Sequence, residues 1–280
     1  MLKIKHNFKI IVLSIFILIV TSSAYSATLH EDNSINQNPL VFSKQIIVVI
    51  GKNWDSTSGI LQRYERSNLG DSWQKAGGQV RVVLGKNGMA WGYGLHGDPL
   101  LAKEQRKEPI ITTEGLKRSP VGAFEIPLAF GKDDAKDWGV KLPYNQISKT
   151  LYCSCDKSYN RIVDATTIEE QEDWDRGENM QSYVDDSGLY IHGAVIAHNY
   201  SSAIHGRGCC FFIHVWRSPE KPTAGCTAMA SDNAKEIISW LEPQKKPVLV
   251  QFPEIIYPEF QSKWKLPDLQ PSENIYRNDL

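Results

Sequence analysis

The chain has 280 residues, of which 41% are hydrophobic and 22% charged, and its formal net charge is −1. This length suits one large domain or two small ones, and the composition is that of a globular protein rather than a disordered chain. A charge so close to zero argues against a partner held by bulk electrostatics, so we expect no nucleic-acid partner.

The first 26 residues are predicted to be a secretory signal peptide. Three lysines precede an apolar core at residues 10–20, and Ala24 and Ser26 place small side chains where a signal peptidase cleaves. The core is too short for a comfortable membrane span, so we expect no integral membrane segment after cleavage, with an uncleaved anchor as the alternative. Cleavage leaves 28 basic and 32 acidic residues, a formal charge of −4. We therefore expect an exported protein, periplasmic or associated with a cell wall.

Beyond the signal peptide we predict three regions. A polar spacer occupies residues 27–43, a domain occupies residues 44–253, and residues 254–280 form a proline-rich tail that follows the surface. Within the domain, β-branched runs and alternating apolar residues between turn signals indicate strands. The predicted strands lie at residues 46–50, 61–66, 79–85, 120–130, 189–199, 209–216 and 247–252. Strand 209–216 is apolar on both faces, which places it inside a sheet.

One segment has helical periodicity. Ala234, Ile237, Ile238 and Leu241 follow the i, i+3, i+4, i+7 spacing of an amphipathic helix. The polar residues at 231–233 are predicted to cap its start. Residues 91–117 are predicted to be a loop, and the acidic run at 169–177 a solvated face, with recognition of a substrate amine as the minor alternative.

The five cysteines form two close groups and a single residue. Cys153 and Cys155 make one group, Cys209 and Cys210 the other, and Cys226 stands apart. Bridges within either group would be strained, so we predict disulfides between the groups, with Cys226 free. The alternatives are unpaired thiols, or a metal site that includes His192 or His205; the spacing does not match a usual zinc motif.

Residues 213–229 join a histidine at the end of an apolar run to a cysteine that follows a glycine. A thiol is a strong nucleophile as the thiolate, and a nearby imidazole that takes its proton is a common way to form one. Gly225 would let a substrate carbonyl approach backbone N–H groups that hold an oxyanion. The alternative is that Cys226 is a small buried hydrophobe and His214 a core histidine.

This pattern resembles the L,D-transpeptidase catalytic domain (the YkuD-type family), whose members remodel bacterial peptidoglycan. The matching motif is an I-H pair followed, after a spacer, by [ST]-x-G-C, here with His214, Thr223, Gly225 and Cys226. The resemblance extends over residues 80–253. Other segments that resemble the family lie at residues 118–124, 142–144, 159–163 and 197–199.

Two positions depart from the common family pattern. Ala224 replaces a second histidine, and Ala228 replaces an arginine that is thought to hold substrate or order the site. The pair of His214 and Cys226 is intact. The departures leave donor specificity and the type of cross-link open.

The resemblance implies a mainly β fold, a curled β-sheet sandwich with one or two short helices, that needs no cofactor and no metal. It implies that Cys226 attacks a carbonyl at an L-configured centre of a peptidoglycan stem peptide and expels a terminal D-amino acid. His214 would take the thiol proton and return one to the leaving amine. Substrate contacts are expected from Thr223, Arg217, His198 and Trp216, with Arg217 binding a stem carboxylate or lying as an exposed turn residue.

The fate of the acyl-enzyme decides the activity. Attack by an amine from a second stem gives a cross-link, and attack by water gives an L,D-carboxypeptidase. A non-catalytic wall-binding protein and a zinc hydrolase are the remaining alternatives.

Overall fold

The structure is a computed structural model that describes residues 38–99, 111–156, 158–168 and 177–269. The predicted signal peptide, most of the spacer, most of the acidic run and the end of the tail lie outside these residues. In the ranges that the structure describes, no helix has the length and apolar character needed to cross a membrane.

The mainly β prediction is confirmed, because most of the described strands join one large mixed sheet. Its order is β5-β6-β15-β1-β2-β4-β14-β13-β12-β7-β8, with β3 paired to β2, and a small sheet has the order β10-β9-β11. The strands are β1 (Gln45–Gly51), β2 (Ser58–Glu65), β3 (Gln74–Lys75), β4 (Val80–Val83), β5 (Met89–Trp91), β6 (Ser119–Glu125), β7 (Ala129–Gly131), β8 (Tyr144–Gln146), β9 (Leu151–Ser154), β10 (Arg161–Asp164), β11 (Glu178–Asn179), β12 (His192–Val195), β13 (Phe212–Val215), β14 (Thr227–Met229) and β15 (Val248–Pro253).

The β-branched run at residues 46–50 forms β1, as predicted. It pairs with β2 in antiparallel and with β15 in parallel orientation. Almost every side chain of β1 is buried. Such a strand is stabilised by apolar contacts on both of its faces, which explains why its sequence does not alternate.

The strand that carries His214 lies inside the sheet, as predicted. β13 pairs with β12 on one side and with β14 on the other, so that His214 lies between Gly193 and Ala228. The strand is shorter than the predicted 209–216, because Cys210 adopts a left-handed φ of 60° and interrupts extended backbone. The predicted strand 189–199 is likewise reduced to β12.

The helices of the described residues are short. The predicted amphipathic helix is present as α3, but its predicted cap is wrong: Ala230 precedes it without a side-chain cap, and Ser231 Oγ instead lies 3.4 Å from His192 Nδ1. The α-helices are α1 (Ala135–Trp138), α2 (Met180–Asp185), α3 (Ser231–Trp240) and α4 (Tyr257–Trp264).

The described part of the tail does not follow the surface. Helix α4 buries Tyr257, Phe260 and Trp264 against the main core, and the Phe260 ring stacks on Phe252 with centroids 4.7 Å apart. The expectation of a surface tail is therefore wrong as far as residue 269. Aromatic side chains provide the apolar surface by which α4 packs on the core.

The cysteine pairing between the two groups is confirmed. Cys153 is bonded to Cys210 and Cys155 to Cys209, while Cys226 is free. The two bonds join β9 to the segment before β13. They therefore attach the small sheet to the strand that carries His214.

Candidate active site

Cys226 immediately precedes β14 and is only 9% exposed. The Phe212 N–H donates to its Sγ at 3.4 Å, and the thiol donates to the Cys210 carbonyl at 3.6 Å. The preceding residue, Gly225, has a φ of 141°, and a Cβ there would lie 2.6 Å from a ring carbon of Phe211. Only glycine suits this position.

Two hydroxyl groups hold the backbone at Cys226. Thr223 Oγ1 donates to the Cys226 carbonyl at 2.6 Å, and Ser119 Oγ donates to the same oxygen at 3.3 Å. Thr223 Oγ1 also accepts the Gly225 N–H at 3.0 Å. The Gly225 N–H is thus occupied, which corrects the expectation that it is free to bind an oxyanion. The Cys226 N–H has no acceptor in the part of the chain that the structure describes.

His214 is 5% exposed and its ring is oriented by its own strand. Its Nδ1 lies 2.7 Å from the Val215 carbonyl oxygen. A carbonyl oxygen only accepts, so Nδ1 carries the proton of the neutral ring and Nε2 is left as the proton acceptor. This is the tautomer that a general base requires.

His214 and Cys226 line the same cavity, which has a volume of about 330 Å³. Trp216, Arg217 and Thr223, for which substrate contacts are predicted, line it as well. Within the described residues, however, no hydrogen bond joins the Cys226 thiol to His214. The expected direct contact is therefore absent from the structure, although both groups line one cavity.

Both groups are neutral near pH 7. Burial, reinforced by the charge of Glu178, raises the pKa of the Cys226 thiol to about 12. Burial, opposed by the hydrogen bond to the Val215 carbonyl and assisted by the charge of Arg217, lowers the pKa of His214 to about 4. Burial disfavours the charged form of either group, so the proton stays on the Cys226 sulfur.

His198 does not line this cavity, which corrects the expectation that it contacts substrate. It is fully buried, its Nδ1 accepts the Tyr93 N–H at 3.1 Å, and its Nε2 donates to the Arg207 carbonyl at 2.8 Å. Both ring nitrogens are therefore used by backbone groups. His198 supports the fold.

The two departures from the family pattern occupy different surroundings. Ala224 is exposed and lines the cavity, so a larger side chain at this position would reduce the open space. Ala228 is fully buried and pairs with both His214 and Val83.

Glu178, Tyr183 and Tyr190 are among the residues of the cavity wall that the sequence did not predict. The Tyr190 hydroxyl donates to Glu178 Oε2 at 2.8 Å, and the two tyrosine rings stack with centroids 4.5 Å apart. Glu178 follows directly on the acidic run, which was assigned to a solvated face. Its position beside Cys226 results from strand pairing in the small sheet, which no local pattern reports.

One cluster of possible metal ligands occurs among the described residues. The sulfur atoms of Cys155, Cys209 and Cys210 lie within 4.8 Å of one another. All three belong to disulfides, so none offers the thiolate that binds a metal ion.

Comparison with known proteins identifies one family. The family model of the L,D-transpeptidase catalytic domain (YkuD) matches residues 42–250, which is most of the chain and includes the whole cavity described above. No curated protein and no solved structure shows significant similarity to the chain.

Proposed function

The chain belongs to the L,D-transpeptidase catalytic-domain family, and from this premise we propose that it cross-links peptidoglycan by acyl transfer through Cys226. The observation that carries the proposal is the shared cavity: a free thiol and a histidine with an unprotonated Nε2 line the same space. A nucleophile and a base with its own orienting partner are the two elements that covalent catalysis requires.

In the first half of the reaction, His214 Nε2 takes the thiol proton as Cys226 Sγ attacks the stem carbonyl. The negative oxygen of the tetrahedral intermediate accepts a hydrogen bond from the Cys226 N–H. The intermediate collapses to a thioester, and His214 gives its proton to the leaving D-amino acid. The distance between base and nucleophile is often longer in a free enzyme than in its substrate complex. The proton transfer therefore requires the Cys226 thiol and the His214 imidazole to come within hydrogen-bond distance.

In the second half, an acceptor amine attacks the thioester carbonyl and releases Cys226. His214 accepts a proton from the attacking amine and returns one to the sulfur. Trp216 provides an apolar wall for the acyl chain, and Arg217 binds a stem carboxylate, since a guanidinium matches that group in geometry and charge. Thr223 acts through the loop: its hydroxyl is used by Gly225 and by the Cys226 carbonyl.

The same proposal places the mature protein outside the cytoplasm, in the periplasm or at the cell wall. Two disulfides are in keeping with an oxidising compartment, where such bonds persist. The signal-like sequence at residues 1–26 supports export.

The proposal is tested by incubating the mature protein with purified disaccharide-tetrapeptides and identifying the products by mass spectrometry. We expect dimeric muropeptides joined at an L-configured centre, and none with Cys226→Ala. Tripeptides without dimers would assign the protein as an L,D-carboxypeptidase. Unchanged substrate at high enzyme concentration would contradict both activities.

A non-catalytic wall-binding role is the second candidate, because the thiol is buried, neutral and not hydrogen-bonded to His214. It predicts that wild-type protein and Cys226→Ala bind purified peptidoglycan equally and that neither changes it. Covalent capture of a carbapenem by wild-type protein alone would exclude this role.

A further inference from the structure

The walls of the catalytic cavity carry opposite charges. Glu178 is the acidic residue among the lining side chains. The basic side chains occupy other parts of the lining and are all exposed: Lys86, Lys117, Arg217 and Lys221. A cavity with one acidic and one basic region suits a ligand that carries an ammonium group and a carboxylate.

Glu178 has one occupied and one open oxygen. Its Oε2 accepts the Tyr190 hydroxyl at 2.8 Å, and Tyr190 is 3% exposed, so this hydrogen bond lies inside the protein. No described residue donates to Oε1, and no described Lys, Arg or His forms an ion pair with the carboxylate. Burial raises the pKa of Glu178, because a buried carboxylate without a cation is unfavourable, and an ammonium group from a ligand would remove that cost.

The position of Glu178 relative to the nucleophile is set by strand pairing, one disulfide and a hydrogen bond to the thiol. Glu178 in β11 is in register with Cys153 in β9, and Cys153 is bonded to Cys210. The Cys210 carbonyl in turn accepts the Cys226 thiol. Strand pairing, the Cys153–Cys210 disulfide and this hydrogen bond therefore connect β11, which carries Glu178, to the Cys226 thiol.

We propose that Glu178 is a substrate-recognition residue that receives the ammonium group of a stem peptide beside Cys226. The carboxylate of the same ligand is bound by the basic side chains, among which Arg217 is nearest in sequence to the base. The ligand class is thus a zwitterionic amino-acid residue at the end of a stem or side chain. The assignment of Glu178 to a substrate contact rests on the proposed function. The expected preference of the cavity for cations does not depend on that function.

Electrostatics supports the assignment and suggests a consequence for activation. Next to burial, the charge of Glu178 raises the pKa of the Cys226 thiol, and it is the main cause that raises the pKa of Tyr183. An ammonium group on Glu178 would cancel this charge. The substrate would then remove part of the barrier to thiolate formation at the moment it is bound.

The test measures modification of Cys226 by three methanethiosulfonates of different charge. The 2-aminoethyl reagent is cationic, the 2-sulfonatoethyl reagent is anionic and the methyl reagent is neutral. Second-order rate constants are taken from intact mass spectra. The ratio of the cationic to the neutral rate is the readout, because any change in the thiol pKa affects both rates equally and cancels.

We expect Glu178→Gln, which keeps an acceptor for Tyr190, to lower the cationic-to-neutral ratio about tenfold, the scale of one charge-assisted hydrogen bond. Glu178→Asp should keep part of the preference. Glu254→Gln is the matched control, since Glu254 is exposed and distant from the cavity lining. Its ratio should equal that of the wild type.

An unchanged ratio in Glu178→Gln, with both disulfides and the native near-ultraviolet circular dichroism retained, would overturn the inference. An equal fall in Glu254→Gln, or no reaction of wild-type Cys226 with any reagent, would do so too. The assay needs no turnover, so it separates the two proposals. Acyl transfer without a cation preference defeats only the role of Glu178, and a cation preference without acyl transfer defeats only the proposed activity.

A substrate readout completes the test. Glu178→Gln should raise KM for a donor with a free side-chain amine, whereas KM for an N-acetylated donor should be the same in the variant and the wild type. A merely structural role for Glu178 would affect both donors alike.

Discussion

The hydrogen bond from His214 Nδ1 to the Val215 carbonyl decides which ring nitrogen can act in catalysis. It uses the Nδ1 proton and directs Nε2 as the base. His198, by contrast, uses both nitrogens in backbone contacts. Two histidines in similar family-like segments thus have different roles, and their hydrogen bonds distinguish them.

The first prediction compares these two histidines. We expect His214→Gln to lower the rate of acylation by about 10²–10⁴, the usual contribution of a general base. His198→Gln should lower stability but leave the acylation rate per folded molecule close to that of the wild type. Single-turnover acylation, normalised to the folded fraction, is the measurement. A larger loss of rate in His198→Gln would show that the base has been assigned wrongly.

The second prediction concerns pH. With the pKa of Cys226 raised to about 12 by burial and by Glu178, the thiolate fraction of the free protein grows through the whole range from neutral to strongly alkaline pH. Iodoacetamide alkylation should therefore rise about tenfold per pH unit well beyond pH 9, where an ordinary cysteine reaches its plateau.

The charged and titratable groups around the thiol agree with an alkylation rate that rises steadily with pH. His214 is neutral above about pH 4, the charge of Glu178 raises the pKa of Tyr183, burial raises the pKa of Tyr190, and burial also raises the pKa of Glu178 itself. A plateau near neutral pH would instead indicate a preformed thiolate and imidazolium pair, contrary to the neutral site described above.

At the scale of elements, helix α4 tests how far the folded domain extends. Trp264 is 5% exposed and packs on Phe252 and Phe260, whereas the nearby Ile255 is 75% exposed. Trp264→Ala should lower the free energy of unfolding by about 3–5 kcal/mol, as for other large core truncations. Ile255→Ala is the control and should change it by less than about 0.5 kcal/mol. Equal urea midpoints for the two variants would contradict the observed packing.

Local sequence patterns predicted the elements in which buried side chains recur at a regular spacing. The unbroken run of β1 and the spacing of Ala234, Ile237 and Ile238 in α3 gave the correct element types. The ends were less predictable, since the left-handed Cys210 shortens β13 and the helix cap is replaced by a contact between Ser231 and His192. These features depend on tertiary partners, which periodicity does not encode.

At the scale of the whole molecule, two disulfides attach the small sheet to the main one. They close loops with sequence separations of 57 and 54 residues. In the chain-entropy model a loop of this length stabilises the fold by about 4 kcal/mol. Because the two bonds lie side by side, the second constrains a chain that the first has already closed.

The fourth prediction follows from this arrangement. Removing only the Cys155–Cys209 bond, by changing both residues to Ala, should lower the free energy of unfolding by at most about 2 kcal/mol, and removing both bonds by about 4 kcal/mol or more. Urea titrations give both values. Thiol counting on the unfolded, unreduced wild type should give one reactive group, Cys226. A loss of about 4 kcal/mol on removal of the Cys155–Cys209 bond alone, or five reactive thiols, would contradict the account.

The sequence motif predicted the proposed nucleophile loop and base, but not the cavity around them. Thr223, Gly225 and Cys226 are adjacent in the chain, and so a motif can report them. Glu178 reaches the site through strand pairing, and it belongs to no pattern that separates it from an ordinary acidic residue. The cavity wall is therefore a property of topology.

The central claim, that Cys226 is the acyl-accepting nucleophile, is tested most directly by intact mass spectrometry after brief reaction with a purified disaccharide-tetrapeptide. Wild-type protein should gain the mass of the donor minus its terminal D-amino acid, the adduct should map to the peptide that contains Cys226, and hydroxylamine should remove it as expected for a thioester. Cys226→Ala should gain no mass. An unmodified wild-type protein under conditions of turnover, or the same adduct in Cys226→Ala, would contradict the account.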